Sequence, residues 1–342
     1  MSAPLLEVED LNIRYETDAG EVAAVSDVSF TVEEGQYHGL VGESGCGKST
    51  IAKAILGALD RNGKIVSGEI RFQGEEIQDY SDAELNDRIR WKNIAMIPQA
   101  SMNSLDPVMR ISNQALDIAK VHSDWDKQRT ISRLEELFEI FGLPKERIRD
   151  YPHEFSGGMQ QRVVNALALF LEPDLIIADE PTTALDVIMQ DQIMAHLEEI
   201  KEELDVSMLM ITHDISLVFE ECDAITVMHG GQVAETGSVR DIFYRPHHPY
   251  SILLQQTFPD IRDPERKLVT IEGDPPAFWG EINKCTFAER CPWAVAECTS
   301  QTPPLEPTNG DASHLNSCIR SQEMDVLASD INRAKGASHN AD

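Results

Sequence analysis

Apolar and polar residues alternate along two stretches near the start of the chain, Leu5 to Tyr15 and Val25 to Val32, with Gly20 and Gly35 as punctuation. Period-two alternation belongs to strands that bury one face, so these stretches predict antiparallel strands. Tyr37 to Val41 is a mostly apolar run that reads as a strand, and Ile51 to Leu56 reads as a helix leaving the segment between them. Gly68 to Phe72 predicts a further strand of the first layer, and Ile94 to Ile97 a short buried strand ending at Pro98-Gln99. Leu175 to Ala178 is apolar throughout and closes on Asp179-Glu180. Unbroken apolar runs mark strands covered on both faces, the usual state of a central parallel strand. Val206 to Thr212 repeats the pattern with His213-Asp214 at its end, and Val227 to Val233 turns through Gly230-Gly231.

Between residues 91 and 171 the period changes. Ile131, Leu134, Leu137, Phe138 and Phe141 recur at three- and four-residue spacing and form one apolar stripe of a helix. A second helix, with Ile193, Leu197, Ile200 and Leu204 on one face, follows Thr183-Ala184-Leu185-Asp186. The expected fold is α/β: a core sheet, an antiparallel β subdomain, a helical subdomain inserted at about 91–171, and a small C-terminal extension. The domains expected are 1–240, 241–320, and a polar, loosely ordered tail at 321–342.

Chemistry enters at Gly42-Glu43-Ser44-Gly45-Cys46-Gly47-Lys48-Ser49-Thr50, which fits G-x-x-x-x-G-K-[ST] without a mismatch and stands between a predicted strand and a predicted helix. Glycines let successive N–H groups curl around phosphate oxygens, and the helix that follows points its positive end at them. Lys48 adds a mobile charge for the β- and γ-phosphates, and Ser49 is placed to ligate Mg²⁺. Cys46, at a helix start beside Lys48, is expected to have a lowered thiol pKa and to be reactive, with small filler as the alternative.

Ligands in α/β sheets sit at the carboxyl ends of the strands. There Asp179 suits Mg²⁺ coordination through water, and Glu180 suits orienting and deprotonating the attacking water. His213 stands at the same edge and is expected to contact the γ-phosphate. Ser156-Gly157-Gly158 opens a helical run, either as a second anion nest or as a plain cap. Tyr15 could stack on adenine or simply pack.

The formal net charge is −30, from 59 acidic and 29 basic residues. So acidic a surface repels phosphates and excludes a general nucleic-acid binder. The acids are scattered along the chain, which suggests a salt-rich cytoplasm where screening relieves self-repulsion. Met1 to Asp10 lacks the basic start and apolar block of a signal peptide, and no apolar run approaches the eighteen or so residues of a membrane span. A cytoplasmic protein is expected, and six cysteines in a reducing compartment are not a disulfide framework.

The P-loop, Gln99, Ser156-Gly157-Gly158, Asp179-Glu180, Leu185-Asp186 and His213, in this order over residues 5–245, resemble the nucleotide-binding subunit of an ABC transporter. The signature reads Phe-Ser-Gly-Gly-Met where the family most often has Leu-Ser-Gly-Gly-Gln. The resemblance implies a head-to-tail dimer with each ATP held between one subunit's P-loop and the other's signature, Asp186 included in the nucleotide contacts. It implies that Glu180 polarises the water, that His213 contacts the γ-phosphate, and that Gln99 joins the Mg²⁺ site and links hydrolysis to the membrane subunit.

Gln99-Ala-Ser-Met-Asn-Ser-Leu-Asp-Pro107 and Arg245-Pro-His-His-Pro-Tyr250 resemble the dipeptide/oligopeptide importers. Their members work at the cytoplasmic face of the membrane with two membrane-spanning permease subunits, a second ATP-binding subunit and an extracytoplasmic substrate-binding protein. Related importers carry nickel or sugars, and soluble ABC ATPases serve DNA repair or translation. Those soluble proteins usually carry tandem domains or long coiled coils, which are absent here.

Cys285, Cys291, Cys298 and Cys318 are spaced too widely for a zinc ribbon. The spacing alone leaves a structural metal and scattered core cysteines both open; the resemblance implies a [4Fe–4S] cluster. His314 reads as a bystander. Asp274 to Pro307 is proline-rich and poor in apolar runs, so it is expected to have little core of its own, and a cluster there, outside the sequence that holds the ATP site, is expected to be structural or regulatory.

Overall fold

The computed structural model describes residues 3–99, 104–181, 206–257, 270–273, 276, 278–324 and 326–327. The predicted helix after Asp186 and the polar tail beyond residue 327 lie outside them, as do Thr183, Leu185 and Asp186.

Strands β1 (Leu6–Thr17) and β2 (Gly20–Val32) pair antiparallel, and β3 (Tyr37–Val41) runs directly to helix α1 (Lys48–Ile55). Strand β4 (Gly63–Phe72) pairs antiparallel with β1, and β5 (Glu75–Glu76) pairs with β4. Strand β6 (Ile94–Ile97) is followed by helices α2 (Ile111–His122), α3 (Lys127–Ile140) and α4 (Gly157–Ala168) before the chain returns as β7 (Leu175–Asp179). Asp126 caps α3 by accepting from the Arg129 N–H, and the apolar stripe buries Leu134, Leu137 and Phe138.

Strand β8 (Ser207–Thr212), helix α5 (Ile215–Glu221) and the hairpin β9 (Ala224–His229) and β10 (Gln232–Ser238) come next, the hairpin turning through Gly230-Gly231. Helices α6 (Val239–Tyr244) and α7 (Pro249–Gln256) lead to β11 (Phe278–Trp279), β12 (Glu306–Thr308) and β13 (Asp311–Asn316).

Two sheets result. One is antiparallel with order β11-β2-β1-β4-β5; the other has order β12-β13-β10-β9-β3-β8-β7-β6 and is parallel from β9 to β6. The apolar runs are explained by two cores. On β7 and β8, Leu175, Ile177, Leu209 and Ile211 face the antiparallel sheet and α1. Their neighbours Ile176, Ala178, Met208 and Met210 face the opposite cluster, with Phe138 and Phe170. Alternate residues enter different cores, so neither face can be polar.

The C-terminal segment packs on both sheets. It contributes β11 to the edge of the antiparallel sheet, against Ala23 and Val22, and the hairpin β12-β13 to the edge of the parallel sheet, against β10. Phe287, 1 % exposed, is part of the main core. Burying such a ring is worth roughly 2–3 kcal/mol. The segment, expected to have little core of its own, shares that of the domain it packs on.

Candidate functional site

Strand β3 delivers the P-loop to α1. Gly47 adopts φ 104°, and a side chain there would meet the Ala24 carbonyl at 2.5 Å. A Cβ at Gly42 would meet the Met228 carbonyl at 2.2 Å. Both positions admit only glycine. Lys48 is buried, and its ammonium donates to the Gly42 and Glu43 carbonyls at 2.7 and 2.9 Å. Cys46 is 1 % exposed, and burial pushes its thiol pKa up more strongly than Lys48 draws it down. The expected reactive thiol is thus overturned: enclosure outweighs the neighbouring charge.

The two carboxylates at the end of β7 diverge. Asp179, whose carboxyl pKa is raised chiefly by burial, accepts from the Ser49 hydroxyl at 3.1 Å. Glu180 turns to φ 49°, and its N–H donates to the Ile211 carbonyl at 2.8 Å. One oxygen of its side chain accepts from Gln99 Nε2 at 2.7 Å, and the other lies 3.1 Å from His213 Nδ1. Glu43, Ser44, Gln99, Glu180 and His213 line one open cleft.

Other expected residues stand apart. Ser156 caps α4 by accepting from the Met159 N–H at 3.4 Å, and Ser156-Gly157-Gly158 contributes nothing to the cleft. Tyr15, on β1 opposite Gly63, packs its ring where a side chain at 63 would lie.

A chain carrying this cradle resembles known proteins in sequence and fold. Residues 25–183 match the ABC transporter family, and residues 234–298 match the oligopeptide/dipeptide transporter C-terminal region. An oligopeptide transport ATP-binding protein of Haemophilus influenzae is 45 % identical over 86 % of this chain and 91 % of its own length. The chain belongs to the ABC transporter ATP-binding family. A dipeptide transport ATP-binding protein of Bacillus subtilis is 38 % identical over 95 % of this chain and 98 % of its own. A solved dimeric ATP-binding cassette bound to ADP and Pi superimposes with TM-score 0.58 at 27 % identity, covering 69 % of this chain and 99 % of that one. This ABC ATPase has no helix, among the described residues, that is long and apolar enough to cross a membrane.

The C-terminal segment, though outside the sequence that holds the ATP site, reaches the P-loop. The Tyr250 hydroxyl accepts from the Glu43 N–H at 3.0 Å, and Arg290 pairs with the Glu43 carboxylate. The motif Arg245 to Tyr250 positions Tyr250: the buried Glu235 carboxylate on β10 accepts from the His247 and His248 N–H groups and from His314 Nε2. His314 is accordingly occupied on Glu235, not on the cysteines.

Cys285, Cys291, Cys298 and Cys318 line one pocket of about 20 Å³ together with Phe287 and Met324. Burial pushes three of these thiols up, Cys285, Cys291 to about 11 and Cys318 to about 12. Among the described residues, no group of three or more His, Cys, Asp or Glu side chains is arranged to hold a metal ion.

Proposed function

We propose that this protein is the ATP-hydrolysing motor of a di- or oligopeptide importer. The observation that carries the reading is the convergence of Lys48, Ser49 with Asp179, and Glu180 with Gln99 and His213 on one side of the sheet. Lys48 and the loop amides bind the phosphates. Ser49, Asp179 and Gln99 would hold Mg²⁺, which neutralises charge developing on the transferred phosphoryl group. Glu180 orients the attacking water and takes its proton, while His213 holds the γ-phosphate.

Ser156 and Gly157 are exposed, and neither lines the cleft with Glu43 and Ser44 of their own P-loop, which suits a signature that completes the site of a second ATP-binding subunit in a head-to-tail dimer. Residues 91–171 serve as the helical subdomain, Tyr15 as the adenine platform and Asp186 as a contact at the nucleotide. Gln99 couples the site to two permease subunits at the cytoplasmic face of the membrane, which receive substrate from an extracytoplasmic binding protein. Residues 1–240 form the ATPase domain and 241–320 the importer-type C-terminal region.

We infer that the four cysteines of this pocket hold a [4Fe–4S] cluster, with a zinc site as the alternative. Four thiols around one apolar pocket are the donors a cubane takes. The cluster would supply a covalent staple for the C-terminal segment. Its binding requires the thiolates and therefore releases protons.

The test is affinity purification of the tagged protein with its membrane, then peptide uptake in cells lacking it. Co-purification of two permeases and a paralogous ATPase, with loss of peptide uptake, is expected. Purification free of membrane proteins with nucleic acid attached would instead favour a soluble repair or translation ATPase.

A further inference from the structure

Arg290 connects the cysteine-bearing segment to the phosphate site. Its side chain is 7 % exposed and donates from both terminal nitrogens to the two carboxylate oxygens of Glu43, at 2.5 and 2.7 Å. Two parallel N–H···O bonds make the strongest and most directional form of this pair. The guanidinium is held in place from behind. Its Nε donates to the Glu272 carbonyl at 2.9 Å, and Nη1 lies 3.1 Å from His229 Nε2. The Thr286 hydroxyl donates to the His229 carbonyl, so its oxygen takes the Nδ1 proton and leaves Nε2 as acceptor.

Glu43 is gripped at every polar atom. Its N–H donates to Tyr250, and its carbonyl accepts from the Lys48 ammonium at 2.9 Å. That carbonyl helps aim the charge that reaches the phosphates. The Glu43 carboxylate is also the only acidic side chain between Gly42 and Thr50. Unpaired, it would repel an incoming polyphosphate from within its own cradle.

We propose that Arg290 is a positioning residue for the P-loop. It neutralises the Glu43 carboxylate and fixes the carbonyl that aims Lys48, so that the C-terminal segment sets nucleotide affinity. This inference rests on the role of Lys48 given above.

The experiment measures MgADP binding by calorimetry, and kcat and KM for ATP, on the full-length chain. Loss of a buried charge partner predicts that R290A weakens MgADP binding about tenfold and raises KM alike, with kcat falling less than about threefold. R290K, which keeps the charge but not the fork, restores part of the affinity. In an E43Q background, with no carboxylate to neutralise, removing Arg290 costs less than about twofold. R290M preserves packing and carries the same expectations if R290A fails to fold. Wild-type affinity in R290A or R290M overturns the proposal, and so does an equal loss in the E43Q background. K48A separates the two levels: weakened binding there with R290A normal sinks only this inference, whereas wild-type binding in K48A sinks the cradle itself.

Discussion

The Glu180 carboxylate is shared between two strands' ends: one oxygen accepts from Gln99 Nε2 at 2.7 Å, and the other stands 3.1 Å from His213 Nδ1. Gln99 follows β6 and His213 follows β8, the two neighbours of β7 in the parallel sheet. Parallel order therefore delivers all three side chains to one edge, as a ligand site in an α/β sheet requires. The left-handed turn at Glu180 lifts its side chain away from Asp179, which goes to Ser49 instead.

That division of labour sets the first expectation. E180Q retains ATP binding but loses the base, so turnover falls by about 10²–10⁴ and the ATP-bound dimer accumulates. K48A weakens binding itself. Single-turnover hydrolysis and gel filtration with ATP check both, and undiminished hydrolysis by E180Q would remove Glu180 from its assigned role.

Acid should loosen the fold in a definite window. Burial holds His38 and His248 at about 4 and, with the Arg290 charge, His229 at about 3. In the unfolded chain these rings take a proton near 6.5, before the folded ones can. Their stabilising effect is complete above that pH and drains as pH falls toward 4, at about 1.4 kcal/mol per unit for each ring. Melts at pH 7 and pH 5, both in molar KCl, should show a clear drop; equal midpoints would contradict it.

The charge of −30 carries its own expectation. Repulsion among surface carboxylates is screened within about 3 Å at 1 M salt. We infer that the chain is adapted to high salt, so the melting midpoint should climb as KCl rises into the molar range. A flat or falling series would end the halophilic reading.

Much of this site was legible in the sequence because each part announces itself locally. The P-loop is contiguous, and the apolar runs Leu175 to Ala178 and Val206 to Thr212 name central strands whose ends carry Asp179, Glu180 and His213. The C-terminal segment was not, because what organises it is long-range. Phe278 and Trp279 form a strand only by pairing with β2, and Asp311 to Asn316 is too polar to read as one. A signal was present: Asn309-Gly310, both at positive φ, is a hairpin turn pair. Arg290 gave no such sign, since its partner Glu43 is 247 residues away. Cys46 misled for a related reason, because a helix start beside a lysine says nothing about depth.

The cysteines give the last expectation. Pairing of Arg290 with Glu43 changes what their loss should do. If the four thiols hold one [4Fe–4S] cluster, protein purified without air is brown, with broad visible absorption that any one of the four Cys→Ser changes abolishes. Were the segment separate from the ATP site, nucleotide binding would survive intact. Arg290 directly precedes Cys291, however, and Phe287 between Cys285 and Cys291 anchors the same turn to Tyr250, with ring centroids 5.3 Å apart. A slackened turn should move Arg290 off Glu43, so C291S should lose colour and also bind MgADP less tightly, by at most the roughly tenfold set by losing the ion pair. C318S, farther along the chain from Arg290, should lose colour with a smaller effect on binding. Absorption spectra, iron and zinc analysis and calorimetry on the same preparations decide the matter. Colourless protein with stoichiometric zinc would replace the cluster, and metal-free folded protein would reduce the four thiols to packing.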